Sequence, residues 1–318
     1  MLSRLQTYGR FVKIEHSVFA LPLILAGAIL GGAGIPFLAP GLRWRFANLC
    51  FWILTAAVGA RTAGFALNRI VDQKIDQLNP RTAGRELPAK AMNMAEAYAV
   101  LGSGLVLYFC GAFFISPICL VLTPVPLLIF LGYPFMKRFT SAAHFGIGLA
   151  LALGPLAAGV AVKSYIFMNH VDLWGQEPNV YFIIGRLLTF FFETVDLRLV
   201  YLLGLFTFFW VSGFDIIYST LDEEFDRAQG LHSLPAKIGR RKALWVSAGL
   251  HAAAFVTLTV LYVTYYRTPV AGVFLGATGV LLFLEQWKSD NVDLAFFKIN
   301  GIVSFLVLAF IACGAARL

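Results

Sequence analysis

The chain alternates long apolar runs with short polar segments, and the runs set its plan. Windows of about 20 apolar residues recur, each long enough for a helix to cross a hydrocarbon core of ~30 Å. Nine such spans are predicted, over residues 17–39, 47–70, 94–114, 117–136, 141–163, 198–220, 243–265, 269–285 and 295–315. The segment 164–196 is longer than its neighbours and reads YIFMNHVDLWGQEPN followed by VYFIIGRLLTFFFETVD. Its apolar second half is interrupted by Arg186 and Glu193, which predicts an interfacial helix on the outer face. A tenth span there would invert everything after it.

The first apolar run continues to about Pro40, with no short core and small-residue cleavage site, so a retained span is expected. Composition agrees with a bilayer as solvent. The 318 residues are 59% hydrophobic and 13% charged, with a mean hydropathy of +0.78, and a soluble domain of this size covers itself with far more charge. The net charge of +8 is spread over short loops between spans, so it points to membrane orientation and lipid contact and not to nucleic acid. With the N-terminus inside, 17 Lys and Arg fall on the inner side and 7 on the outer, leaving Arg61 within a span. By the positive-inside rule the loops after spans two, four, six and eight face the cytoplasm.

The four cysteines, Cys50, Cys110, Cys119 and Cys313, lie in apolar segments without metal spacing and read as structural thiols. His144, His170, His232 and His251 are scattered and form no metal set, and His16 sits at the start of the first span beside Glu15. No Ser-His-Asp arrangement, nucleotide loop or haem signature is present.

The chemistry is concentrated in two acidic clusters. The first lies in RTAGFALNRIVDQKIDQLNPRTAGRELP, residues 61–88, where Asn68, Asp72 and Asp76 fall at i, i+4 and i+8 and so share one helix face, with Arg61 and Phe65 continuing toward the membrane interior. The second closes the sixth span, SGFDIIYSTLDEEFDRAQGLHSLPAKIG, with Asp215, Asp222, Glu223, Glu224 and Asp226. Asp222 and Asp226 repeat the four-residue spacing. Both clusters are placed at cytoplasmic helix ends by the charge argument.

Paired aspartates four apart on a helix repel mildly, and a divalent ion removes that cost. Hard oxygen donors without converging histidines or thiolates indicate magnesium or calcium. Magnesium takes a carboxylate or two and completes its shell with water and substrate phosphate oxygens. Two facing Asp-x-x-x-Asp pairs therefore fit a diphosphate held through metal ions, with Arg81, Arg85, Lys137 and Arg138 available for the remaining phosphate oxygens. Asp215 is counted among the substrate-binding residues. A cation-coupled transporter is the reading from another class, but it predicts charges near the midplane and related chain halves, whereas these acids cluster at one face.

The N-x-x-x-D-x-x-x-D motif with RTAGRELP, the D-x-x-x-D pair at Asp222 and Asp226, YPFMKR over Tyr133 to Arg138 and GLHSLPAKIG together resemble the UbiA superfamily of intramembrane aromatic prenyltransferases. The resemblance covers essentially the whole chain as one domain, 1–318. KIEHSVFALP and FDIIYSTLDEEFDRAQGLHS are most similar to bacterial 4-hydroxybenzoate-type polyprenyltransferases, including the subgroup linked to menaquinone synthesis by the futalosine route. The departures are RELP, where many members have RPLP, and the long outer segment 164–196.

That resemblance implies an all-α bundle of nine transmembrane helices around a central cavity with a cytoplasmic cap, in a bacterial inner membrane. The implied reaction is magnesium-dependent transfer of a polyprenyl group from its diphosphate to a hydroxylated aromatic carboxylic acid in ubiquinone or menaquinone biosynthesis. Carried over by position, Asn68, Asp72 and Asp76 bind one Mg2+, and Asp222 and Asp226 another. Arg61, Lys137 and Arg81 neutralise the diphosphate, Tyr133 lies near the allylic carbon, and Arg138 holds the acceptor carboxylate. The same family also suggests haem, chlorophyll, homogentisate or lipid acceptors as alternatives.

Overall fold

The computed structural model describes residues 2–13, 17–32, 40–170, 185, 189–190, 196–292 and 298–315, and all regular structure among these is helical. The chain runs through α1 (Leu2–Phe11), α2 (Ser17–Gly31), α3 (Pro40–Leu78), α4 (Met94–Ile115), α5 (Pro117–Leu122), α6 (Pro124–Met136) and α7 (Ala143–His170). It continues through α8 (Arg198–Ser219), a 3-10 turn (Thr220–Asp222), α9 (Glu223–Ala228), α10 (Leu234–Ile238), α11 (Arg240–Tyr265), α12 (Pro269–Trp287) and α13 (Asn300–Ala315).

Seven helical stretches are long and apolar enough to cross a membrane: Arg45–Leu78, Met94–Ile115, Pro117–Met136, Ala143–Met168, Arg198–Ala228, Arg240–Tyr265 and Pro269–Trp287. They coincide with predicted spans two to eight. Where spans one and nine are expected, the described helices are shorter, Phe19–Gly31 and Asn300–Ala315. Most of the expected outer segment lies outside the described residues, including Arg186 and Glu193, as do Glu15 and His16.

Local chemistry explains several boundaries. Asn93 and Glu96 form a reciprocal capping box that opens α4. Pro117, Pro124 and Pro269 stand in first turns, where a missing N–H costs nothing. The Ser116 side chain caps α5 and also meets Ser164 of α7 at 2.9 Å, satisfying two hydroxyls inside the bundle.

α8 is the central helix, packed on α7 and α11, and its Leu203, Phe206, Trp210 and Val211 are almost wholly enclosed. They join Leu30, Leu258, Val303 and Phe310 in the main apolar core. Small residues let the backbones close up elsewhere. A Cβ on Gly59 of α3 would fall 2.3 Å from the Tyr108 amide nitrogen of α4, and one on Gly104 only 2.6 Å from that of Ala63. Such close approach is how helices associate where lipid removes the hydrophobic drive. Phe113, Leu128, Val273 and Phe283 point outward, as suits an apolar solvent.

Polar contacts collect at one end of the bundle. There the ends of α3, α6 and α8 meet the segments that follow them, and Arg240 pairs with Asp290 at 2.8 Å to tie the start of α11 to the chain after α12.

Candidate active site

α3 does not stop at residue 70 but continues unbroken to Leu78, so Asn68, Asp72 and Asp76 lie on successive turns of one helix. Asn68 Nδ2 donates to Asp72 Oδ2 at 3.2 Å. Arg138, just beyond α6, donates to the Val71 carbonyl at 2.9 Å and approaches Asp72 Oδ1 at 3.5 Å. One turn further on, Arg85 Nη1 donates to both oxygens of the buried Asp76 at 2.7 Å, and Arg69 stands 3.9 Å away.

The second cluster departs from a regular helix. α8 tightens into the 3-10 turn that carries Asp222, and α9 then carries Asp226. Asp222 is held from the first cluster's own loop. Arg81 Nε donates to Oδ1 at 2.9 Å, its Nη2 donates to Oδ2, and Asn79 Nδ2 donates to Oδ1 at 2.9 Å. Arg81 Nη1 also reaches the Tyr218 hydroxyl at 2.7 Å, and its guanidinium lies over that ring. Burial works against the charged form of Arg81, but the hydrogen bonds and charge of Asp222 outweigh it and hold its pKa above the ordinary value.

Lys137 links the two clusters. Its Nζ lies 3.9 Å from Asp226 Oδ2, and its charge also bears on Asp72 and Asp222. The Lys137 carbonyl accepts the His232 amide at 2.7 Å, fastening the GLHS segment to the end of α6.

Each of the four motif aspartates thus has a basic side chain against it. Among the described residues no group of three His, Cys, Asp or Glu converges as a metal cage. One carboxylate oxygen is nevertheless left short: Asp226 is 2% exposed, and its Oδ2 has no hydrogen-bond partner. A buried, unsatisfied anionic oxygen, four residues after a second aspartate, is the environment a hard cation relieves, so the donor set fits Mg2+.

The remaining predicted residues are spread around this centre. Tyr133 is half-buried on α6 and feels the charges of Asp72 and Asp215. Asp215 meets His144 Nδ1 at 2.6 Å. Arg61 lies over Phe65 at 4.6 Å and donates to the Lys13 carbonyl and, at 3.0 Å, to that of Val12, where it secures the end of α1. Sequence reasoning did not single out Asn79 or His144. Asn79 closes the first motif immediately before Pro80, a turn signal that marks it, whereas nothing local marks His144.

An apolar helical bundle with carboxylates and cations gathered at one end defines an integral membrane protein with a charged cluster near its helix ends. The chain belongs to the UbiA prenyltransferase family, whose model matches residues 20–314, and it is a prenyltransferase. It is 25% identical over 320 residues to the 4-hydroxybenzoate octaprenyltransferase of Aliivibrio salmonicida, an alignment covering 97% of each chain. It is 26% identical to the human mitochondrial 4-hydroxybenzoate polyprenyltransferase, over 90% of this chain and 68% of that one. The apo structure of a UbiA homologue from Aeropyrum pernix K1 superposes with a TM-score of 0.75 at 30% identity, covering 94% of this chain and 98% of that chain. A UbiA homologue from Archaeoglobus fulgidus, solved bound to GPP and Mg2+, shares the fold at a TM-score of 0.63 and 16% identity, covering 98% of this chain and 99% of that chain.

Proposed function

We propose that this prenyltransferase moves a polyprenyl group from a polyprenyl diphosphate to a ring carbon of a hydroxylated aromatic carboxylic acid, 4-hydroxybenzoate or a dihydroxynaphthoate, in quinone biosynthesis. The observation that carries this reading is the convergence of two acidic motifs, about 150 residues apart in sequence, through Arg81 on Asp222 and Lys137 between the clusters. The donor class comes from the relatives' names, and the apolar bundle would let an isoprenoid tail enter sideways.

Asn68, Asp72 and Asp76 would hold one Mg2+, and Asp222 and Asp226 another. Bound there, the metal supplies positive charge against the phosphate oxygens. The protein's own groups then do three things. Arg81, Lys137 and Arg138 exchange carboxylate partners for phosphate or substrate carboxylate oxygens, so that charge already present at the site meets the charge that develops as the carbon–oxygen bond breaks. Tyr133 would face the allylic cation. The apolar helices exclude water that would otherwise capture that cation. The diphosphate leaves with the electrons of the broken carbon–oxygen bond, and the ring carbon that then bonds to the allylic cation gives up one proton.

Nine spanning helices with a cytoplasmic cap, over a central cavity in a bacterial inner membrane, complete the proposal, with the site facing the cytoplasm as the positive-inside count supports. The test is transfer by purified protein supplied with magnesium, prenyl diphosphates of several lengths and both acceptor classes. Product formation that stops on thorough chelation is expected. Transfer persisting without divalent metal, or prenylation confined to a non-aromatic acceptor, overturns the reading.

A further inference from the structure

Outside the metal-ligand set, a short polar contact joins His144 and Asp215 inside the bundle. His144, at the start of α7, is fully enclosed. Its Nε2 accepts the Leu234 amide at 3.2 Å, so that nitrogen carries a lone pair and the ring proton resides on Nδ1. Nδ1–H then donates to Asp215 Oδ2 at 2.6 Å. Leu234 opens the short helix α10, whose first amides have no intrahelical acceptor, and the imidazole satisfies one of them. A single side chain thus joins the segment after the second motif to a carboxylate deeper in α8.

Packing alone does not account for an aspartate there. A neutral imidazole supplies one hydrogen bond without cancelling the carboxylate's charge, and Oδ1 of Asp215 accepts no hydrogen bond among the described residues. The Asp215 side chain keeps 15% of its surface exposed, so a ligand can reach the carboxylate and complete its shell. The position is suited to a substrate. Asp215 bears electrostatically on the Tyr133 hydroxyl. Gly146, two residues after His144, packs so closely under Tyr133 that an added Cβ would lie 3.2 Å from the tyrosine Cβ. The arginines and Lys137 described above engage the other aspartates, leaving the Asp215 side of the site for a group that donates a hydrogen bond.

We infer that His144 is a positioning residue for the acceptor: it fixes Asp215 so that Oδ1 receives the hydrogen bond of the acceptor's ring hydroxyl, and it couples that orientation to the seating of the 231–238 segment. The inference rests on the function proposed above and adds the group that recognises the phenol.

The experiment compares wild type, His144→Ala, His144→Gln and Asp215→Asn, with KM measured separately for each substrate. His144→Ala is expected to raise the acceptor KM about tenfold, the effect of one hydrogen bond to a charged group, while the prenyl diphosphate KM stays within about twofold. Glutamine offers both an N–H for Asp215 and a carbonyl for Leu234, so His144→Gln should restore most of the loss. An acceptor whose hydroxyl is O-methylated should bind wild type and His144→Ala alike. Equal changes in both KM values, failure of glutamine to rescue, or the same loss with the methyl ether overturns the inference. If His144→Ala melts early in detergent, Asp215→Asn carries the test from the other side of the contact, and an unchanged acceptor KM there is equally fatal. Wild-type protein that prenylates no aromatic acceptor refutes the proposed function instead, so the two failures are distinguishable.

Discussion

Arg81 grips Asp222 with two nitrogens across 141 residues of sequence, Nε at 2.9 Å from Oδ1 and Nη2 on Oδ2. The contact joins the loop after the first acidic motif to the aspartate that begins the second. It also places a guanidinium at the point where the diphosphate is proposed to sit.

Arg81→Lys is therefore expected to weaken prenyl diphosphate binding. Lysine keeps the charge but loses the two-point fork and the contact with Tyr218. The KM for prenyl diphosphate should rise roughly tenfold or more, with the acceptor KM unaffected. Steady-state kinetics with each substrate varied in turn will show it, and an unchanged prenyl diphosphate KM would exclude Arg81 from the diphosphate site.

Asp72→Ala and Asp222→Ala should each abolish transfer but differ in stability. Asp72 is half-buried and makes a long contact with an exposed arginine, so its loss costs little. Removing the buried Asp222 leaves the buried Asn79 amide without its acceptor and the more exposed Arg81 without its carboxylate, a penalty of about 1–3 kcal/mol. Thermal unfolding in detergent should separate the two variants clearly. Full activity in either sinks the metal assignment.

The first acidic motif was legible because helix geometry alone aligns residues four apart, and α3 carries that alignment through to Leu78. The apolar runs likewise marked spans two to eight. What periodicity does not encode is which cation reaches which carboxylate, since Arg81, Arg85 and Arg138 sit in or beside loops whose course depends on tertiary packing. Arg61 shows the limit: its place in the stripe was readable, but not its donation to the carbonyls that end α1. His144 was unreadable for the same reason, because its partners lie 71 and 90 residues away.

A second buried polar group gives a test of stability apart from the site. Glu285 is fully enclosed; Oε1 accepts the Asn300 amide at 2.8 Å, and Oε2 has no hydrogen bond. Asn300 in turn accepts the Trp210 indole N–H at 2.8 Å. Asn300→Ala should destabilise the fold by roughly 2–4 kcal/mol, because it strands two buried groups at once. Glu285→Gln removes the carboxylate and should be neutral or stabilising. Melting curves for both variants decide the matter, and a large loss from Glu285→Gln would mean that the carboxylate itself is required.

Gly104→Leu should separate α3 from α4, since even a Cβ at that position meets the Ala63 backbone. Overpacking of this kind typically costs about 1–3 kcal/mol, and here the strained partner is the helix that carries Asn68, Asp72 and Asp76. A lowered melting temperature accompanied by reduced transfer is the expected result. Normal melting would show that the two helices can part without consequence.

The arginines and lysine set against the four motif aspartates also bear on how the protein is made. Because Arg81, Arg85, Arg138 and Lys137 each stand against one of these carboxylates, the helices that carry them are expected to pack together without a cation between them.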